Sequence, residues 1–250
     1  MPVYKAKGFT LIELLVVIAV IALLMAILMP ALQRVRKQAK AIMCQSNLQQ
    51  WGMVVKMFTD DNNGFFSDED TAWSQEWLDY YEDKKLLVCP SASKPAVPPA
   101  HGETALGGKT YAWSSYGAEL FIGSYALSQW VTQSYQNVRT PEKSWKTPNI
   151  KGAVYAPLLF DGARWALTPL PQDQPPEYDG QIYYSSPAHV DEIRVCCLNR
   201  HNYYVNGVFL DFHTEKIGLK RLWKLKWHRE WPQDAGPRYW PEWMSHLRDY

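Results

Sequence analysis

Three side chains late in the sequence, His201, Asp211 and His213, are of types that bind a transition metal. Two imidazoles and a carboxylate suit zinc and its neighbours. His213 follows Asp211 at a spacing of two, which on a strand points both to one face, and a hairpin would carry His201 towards them, with His189 or Asp191 as a fourth donor. The same residues also read as a structural pair, His201 with Asp211, that fixes the hairpin. A lone carboxylate, Glu13, sits near the start of a long apolar run. An acid in an apolar helix is expensive and calls for a cation at its own depth. Asp60-Asp61-Asn62-Asn63-Gly64 and Ser67-Asp68-Glu69-Asp70 offer oxygen donors for a hard cation such as calcium. The first lacks the spacing and final Glu of an EF-hand and reads more simply as a helix stop and a solvated loop. There is no Gly-rich nucleotide loop, no Gly-x-Ser-x-Gly elbow and no paired Cys-x-x-Cys.

The elements that must position these groups begin with the apolar run itself. Phe9 to Leu32 holds 24 residues with one charge, about 36 Å as a helix against a hydrocarbon core of about 30 Å. Lys5 and Lys7 precede it; Arg34, Arg36, Lys37 and Lys40 follow. Beyond it Cys44, Leu48, Trp51, Val55 and Phe58 recur at 4, 3, 4 and 3, one face of a helix, with Gln38, Gln45, Gln49 and Lys56 on the other. The reading is one helix from Phe9 to about Thr59. Its segment 9–32 is apolar enough to span a membrane, 33–60 is an amphipathic stem, and 61–250 forms a globular domain. In that domain 73–82 reads as a short helix and 86–90 as a strand ending at Pro90. Residues 94–108 and the proline-rich 169–180 read as loops. Residues 111–130 read as irregular with a strand or two, 153–160 as a strand closed by Asp161-Gly162, and 203–210 with 214–219 as a hairpin. The fold class is α+β, a long N-terminal helix packed on a small antiparallel sheet.

Composition narrows the function. An apolar fraction of 47% excludes a disordered chain, and a net charge of +1 argues against binding nucleic-acid phosphates. Twelve Trp and fifteen Tyr suggest either a polysaccharide-stacking surface or an aromatic core. Trp223, Trp227, Trp231, Trp240 and Trp243 are the densest group, with Trp223 and Trp227 spaced to share a helical face.

Gly8 followed by Phe9-Thr10-Leu11-Ile12-Glu13 and a long apolar run, behind a short basic leader, resembles the N-terminus of type IV pilins and type II secretion pseudopilins. The resemblance implies that residues 1–8 are a leader removed between Gly8 and Phe9 by a prepilin peptidase, and that the new Phe9 amine is methylated. It also implies that Glu13 neutralises the Phe9 amine of a neighbouring subunit, and that Pro30 stands at the helix-kinking proline of many pilins. Two buried charges are tolerated only as a pair. The implied partners are other subunits, the peptidase, an inner-membrane assembly platform and lipid. The implied location is a single pass in the inner membrane with the domain outside the cytoplasm, and the fibre is at the cell surface if it is a pilus. The positive-inside rule would instead place the four cations after the run in the cytoplasm; a leader read by an enzyme overrides it. Nine residues separate His201 from Asp211, similar to the H-x9-D-G region of pilin-like proteins abundant in planctomycetes, with Phe212 in place of the Gly.

The expected function is therefore a non-enzymatic structural subunit of a pilus or pseudopilus, with no cofactor beyond a structural calcium. The alternatives are a membrane-anchored polysaccharide-binding domain and an anchored metal-dependent enzyme built on His201, Asp211 and His213. Outside the cytoplasm disulfides persist; four cysteines allow three full pairings, of which Cys44 with Cys89 would staple the helix to the domain. Intact-mass measurement of the chain extracted from its native membrane should show a species starting at Phe9 with one added methyl group; a species retaining residues 1–8 would remove the filament reading.

Overall fold

The computed structural model describes residues 9–66, 73–96, 104–116, 120–132, 140–181 and 192–248. Helix α1 spans Leu11–Asp61 with Pro30 inside it. The chain forms two compact units, one ending at Ala39 and one beginning at Lys40. In the first unit the apolar side chains of α1 are exposed along its length, and an 18-residue window has a mean hydropathy of 3.2. In the second, Cys44, Leu48, Trp51, Val55 and Phe58 are all buried, so the 4-3-4-3 pattern is the packing face. The helix stops where the residues 62–64 supply a left-handed cap. Asn63 and Gly64 have φ of 56° and 82°, and Gly64 N–H donates to Thr59 O at 2.7 Å.

The strands are β1 (Lys94–Pro95), β2 (Thr104–Ala105), β3 (Tyr111–Tyr116), β4 (Leu120–Gly123), β5 (Tyr125–Ser128), β6 (Pro157–Asp161), β7 (Ala166–Leu167), β8 (Tyr204–Phe209) and β9 (Thr214–Gly218). The larger sheet has the order β7-β5-β6-β8-β9; β1 to β4 make a smaller one. Central strand β6 is buried at every residue, which is why it reads as a continuous apolar run. The expected hairpin is present as β8 and β9. The sheets are mixed rather than purely antiparallel, because β7 pairs parallel to β5 and β1 parallel to β3. Residues 162–165 carry the chain from the end of β6 past the start of β5, so β7 meets β5 running in the same direction. Gly162 is needed there, since a Cβ would lie 2.5 Å from that of Ala126.

Three local expectations give way to tertiary partners. Residues 86–90 form no strand: Lys84–Leu87 is a 3-10 turn capped by Asp83, whose Oδ1 accepts from Lys85 N–H at 2.9 Å. Its carbonyls serve other elements, Leu86 O accepting from the Trp51 indole, Leu87 O from Ser124 N–H and Val88 O from Asn47. The helix expected in 73–82 is broken into α2 (Trp73–Glu76) and a 3-10 turn at Leu78–Tyr80. After a 3-10 stretch at Leu219–Lys224 the tail is irregular, so Trp223 and Trp227 share no helical face. Both are instead fully buried. A third helix, α3 (Ile193–Cys196), packs its Ile193 and Cys196 into the core.

Tryptophan holds this loop-rich domain together. The indoles of Trp51, Trp73, Trp113, Trp130, Trp145, Trp223, Trp227, Trp231 and Trp243 each donate to a backbone carbonyl. Several of those carbonyls, Pro169, Asp173 and Pro176, lie in the proline-rich loop, where regular pairing is absent.

His228 belongs to this aromatic core, its ring 4.6 Å from that of Trp130 and 5.1 Å from that of Trp231. Its Nδ1 accepts from Glu230 N–H. Burial, reinforced by the charge of Lys143, lowers its pKa from 6.5 to about 4. Because the folded chain resists the proton that the unfolded chain accepts, stability is full above pH 6.5 and falls between pH 6.5 and 4. The loss is at most about 3 kcal/mol. Thermal midpoints of the detergent-solubilised chain should drop over that window, and His228→Gln should flatten the drop.

Candidate functional site

At the start of α1, Thr10 and Glu13 form a reciprocal pair. Glu13 Oε2 accepts from Thr10 N–H and from Thr10 Oγ1, each at 2.8 Å, while Thr10 Oγ1 accepts from Glu13 N–H at 3.3 Å. This is a capping box, which satisfies two orphan N–H groups of the helix end. The Thr-x-x-Glu spacing before an apolar run carried that signal. Glu13 therefore has an intrachain role besides the assembly role that the resemblance implies. Gly8 and the leader lie outside the described residues; Phe9 is exposed.

The metal candidates do not converge. His201 precedes β8 and Asp211 follows it, so a six-residue strand lies between them, roughly 20 Å of extended chain. Asp211 instead pairs with His213 across the β8–β9 turn, at 2.5 Å and partly exposed. His189 and Asp191 lie outside the described residues. Phe212, in that turn, adopts φ 66°, the left-handed region that Gly favours and that costs other residues about 1 kcal/mol. That is the physical reason for a Gly at this place in the H-x9-D-G pattern. Of the calcium candidates, Asp60 is taken by Lys56 and Asp61 accepts from Tyr80 Oη; Ser67 to Asp70 lie outside the described residues.

His201 joins a different group. Its Nε2 is 3.2 Å from Asp161 Oδ2 and 3.5 Å from Cys89 Sγ. Cys44 Sγ lies 3.4 and 3.6 Å from the two oxygens of Asp161. The ligand atoms of Cys44, Cys89, Asp161 and His201 all fall within 4.8 Å of one another. Among the described residues this is the one cluster of three or more such donors close enough to share an ion. Cys44 and Cys89, expected as a disulfide, are adjacent here with both thiols free, as are Cys196 and Cys197.

Each member is delivered by a separate element: Cys44 by the packing face of α1, Cys89 by the segment after the 3-10 turn, Asp161 by the end of β6 and His201 by the turn into β8. That turn is tight, with Asn202 and Tyr203 at φ of 60° and 68° and Tyr203 N–H held by Asn199 Oδ1. Around the cluster, Tyr125 Oη donates to Cys44 Sγ at 3.5 Å, and Ser91 Oγ faces His201 Nδ1 at 3.5 Å. Arg200 donates to Asp161 Oδ1 and to the carbonyls of Ser124, Gly108 and Gly162. Asn206 N–H donates to Asp161 Oδ2 at 2.8 Å, and its side chain to Ala41 O of α1.

Burial alone would raise the pKa of Asp161, but His201 and Arg200 hold it down to about 2. Burial alone would lower that of His201, but Asp161 and then Cys89 lift it to about 10. Burial opposes a Cys89 thiolate, yet the hydrogen bonds from Cys44 and His201 and the charge of Arg200 bring its pKa down. Cys44 is pushed well up, by burial first. Asp161 and Arg200 escaped the sequence reading. Asp161 ends an apolar strand and resembled a turn residue, and nothing in local spacing ties either to Cys44.

Comparison with known proteins agrees with the N-terminal reading. Residues 4–29 match the prokaryotic N-terminal methylation motif. At its N-terminus the chain resembles type IV pilins. It is also similar to the type IV wide pilus major component PilA4 of Thermus thermophilus, 45% identical over 65 residues, which cover 26% of this chain and 50% of that protein. The chain thus spans about half the length of this curated relative. No solved structure matches it.

Replacing Arg200 with Met would take the guanidinium from Asp161 and from the carbonyls of Gly108, Ser124 and Gly162 in the interior. Arg200→Met should cost about 3–5 kcal/mol, read as a lowered denaturant midpoint, and Arg200→Lys should recover only part of it, because one ammonium lacks the planar fork.

Proposed function

We propose that the chain is a non-enzymatic structural subunit of a type IV pilus or a type II secretion pseudopilus. The single observation that carries this is the match of residues 4–29 to the methylation motif, at the head of a helix whose apolar residues up to Val35 are exposed. In this reading the chain is anchored in the inner membrane by α1, with its domain outside the cytoplasm. A prepilin peptidase removes residues 1–8 and the Phe9 amine is methylated. An inner-membrane platform then transfers the subunit from lipid to fibre. Apolar surface leaves lipid for neighbouring stems, so the transfer exposes none of it to water. Glu13 pairs with the Phe9 amine of an adjacent subunit, since neither charge is tolerated alone in an apolar bundle.

Among the described residues, the sites named for the alternatives do not form. Trp223 and Trp227 are in the core rather than on a stacking platform, and the His201, Asp211 and His213 set does not assemble.

The capping box sharpens the test. Glu13→Gln keeps the box, which accepts Gln as well as Glu, and removes only the charge. Expression of Glu13→Gln in the source cell should leave a processed, membrane-inserted subunit that enters no filament, scored by electron microscopy and by the sheared surface fraction. Wild-type filament yield from Glu13→Gln would overturn the charge-pairing mechanism. Glu13→Leu, which loses the cap as well, should be no more competent than Glu13→Gln.

A further inference from the structure

We propose that Cys44, Cys89, His201 and Asp161 form a closed structural site for one zinc ion, which locks the stem of α1 to the sheet domain. The argument rests on distances. Zinc binds thiolate at about 2.3 Å and imidazole nitrogen or carboxylate oxygen at about 2.0–2.2 Å. Around a tetrahedral ion those radii set sulfur–oxygen and sulfur–nitrogen edges of about 3.6 Å and a nitrogen–oxygen edge of about 3.4 Å. The cluster shows 3.4 and 3.6 Å from Cys44 Sγ to Asp161, 3.5 Å from Cys89 Sγ to His201 Nε2, and 3.2 Å from that nitrogen to Asp161 Oδ2. Three of the six donor–donor edges thus lie near those of one coordination polyhedron, and all four ligand atoms fall within 4.8 Å of one another.

The chemistry of the donor set agrees. Two sulfurs, one imidazole and one carboxylate are donors zinc accepts, and two thiolates disfavour calcium and magnesium. All four ligand side chains are buried, the setting of structural rather than catalytic sites. Charge also balances. Two thiolates, one carboxylate, a divalent ion and the neighbouring Arg200 sum to zero, so the interior gains no net charge. Outer partners are in place as well. Arg200 holds the second oxygen of Asp161, Ser91 faces the second nitrogen of His201, and Tyr125 donates to Cys44. Such contacts orient ligands and fix the imidazole tautomer. On loading, the proton on His201 Nε2 and any protons still on the two thiols pass to solvent.

The site does not depend on the filament reading, and its test does not use assembly. The full chain would be purified in detergent under anaerobic conditions without chelators, then assayed for metal by mass spectrometry and for thiols by alkylation and peptide mapping. The expected result is one zinc per chain, with Cys44 and Cys89 alkylated only after denaturation with a chelator. Cys89→Ser and His201→Gln should lose the ion, and His213→Gln should keep it. If those variants fail to fold, wild-type chain reloaded with cobalt decides. Thiolate-to-cobalt charge-transfer absorption with an intense tetrahedral visible band supports the site, and its lack overturns it. A Cys44–Cys89 disulfide without metal would overturn the proposal. So would free thiols in a chain that takes up no added zinc, or loss of zinc from His213→Gln.

Discussion

The domain is organised around one buried carboxylate. Asp161 has no exposure at all, and a carboxylate in such a place must be surrounded by donors or the fold fails. Its partners come from segments far apart in sequence: Cys44 from the helical stem, Arg200 and His201 from the turn before the hairpin, and Asn206 from β8. Arg200 in turn ties down the carbonyls of Gly108, Ser124 and Gly162. Few regular elements are long here, and β1, β2 and β7 have two residues each. Satisfying one charge thus fixes the mutual placement of segments that short strands alone would leave loosely specified.

What the sequence made legible, and what it did not, follows from the range of each interaction. The stem was readable because a helix repeats its packing face within a few residues, so Cys44, Leu48, Trp51, Val55 and Phe58 announce themselves. The β8–β9 hairpin was readable for the same local reason. The cluster was not, since Cys44 and Asp161 are 117 positions apart and nothing between them records the pairing. His201 was picked out by its chemistry but given to the wrong partner, Asp211, which was near in sequence and beyond reach in space. Residues 86–90 looked like a strand because their side chains are apolar, whereas their conformation is set by the Asp83 cap and by donors on other elements.

The many tryptophans resolve into a division of labour. Their rings supply buried area, and their N–H groups reach carbonyls that proline-rich segments leave without backbone partners. The indole thus substitutes for the strand pairing this domain lacks. It also accounts for an aromatic tail that is largely interior, a poor surface for stacking on a sugar.

The hydrogen bonds along the stem have a mechanical consequence. Between residues 41 and 51, α1 is joined to the domain by Asn206 to Ala41 O, Asn47 to Val88 O and Trp51 to Leu86 O, with Cys44 beside Asp161 between them. A pull along the helix axis loads these contacts side by side, in shear, rather than peeling them one after another. Tension along the stem is therefore shared among four contacts rather than carried by one.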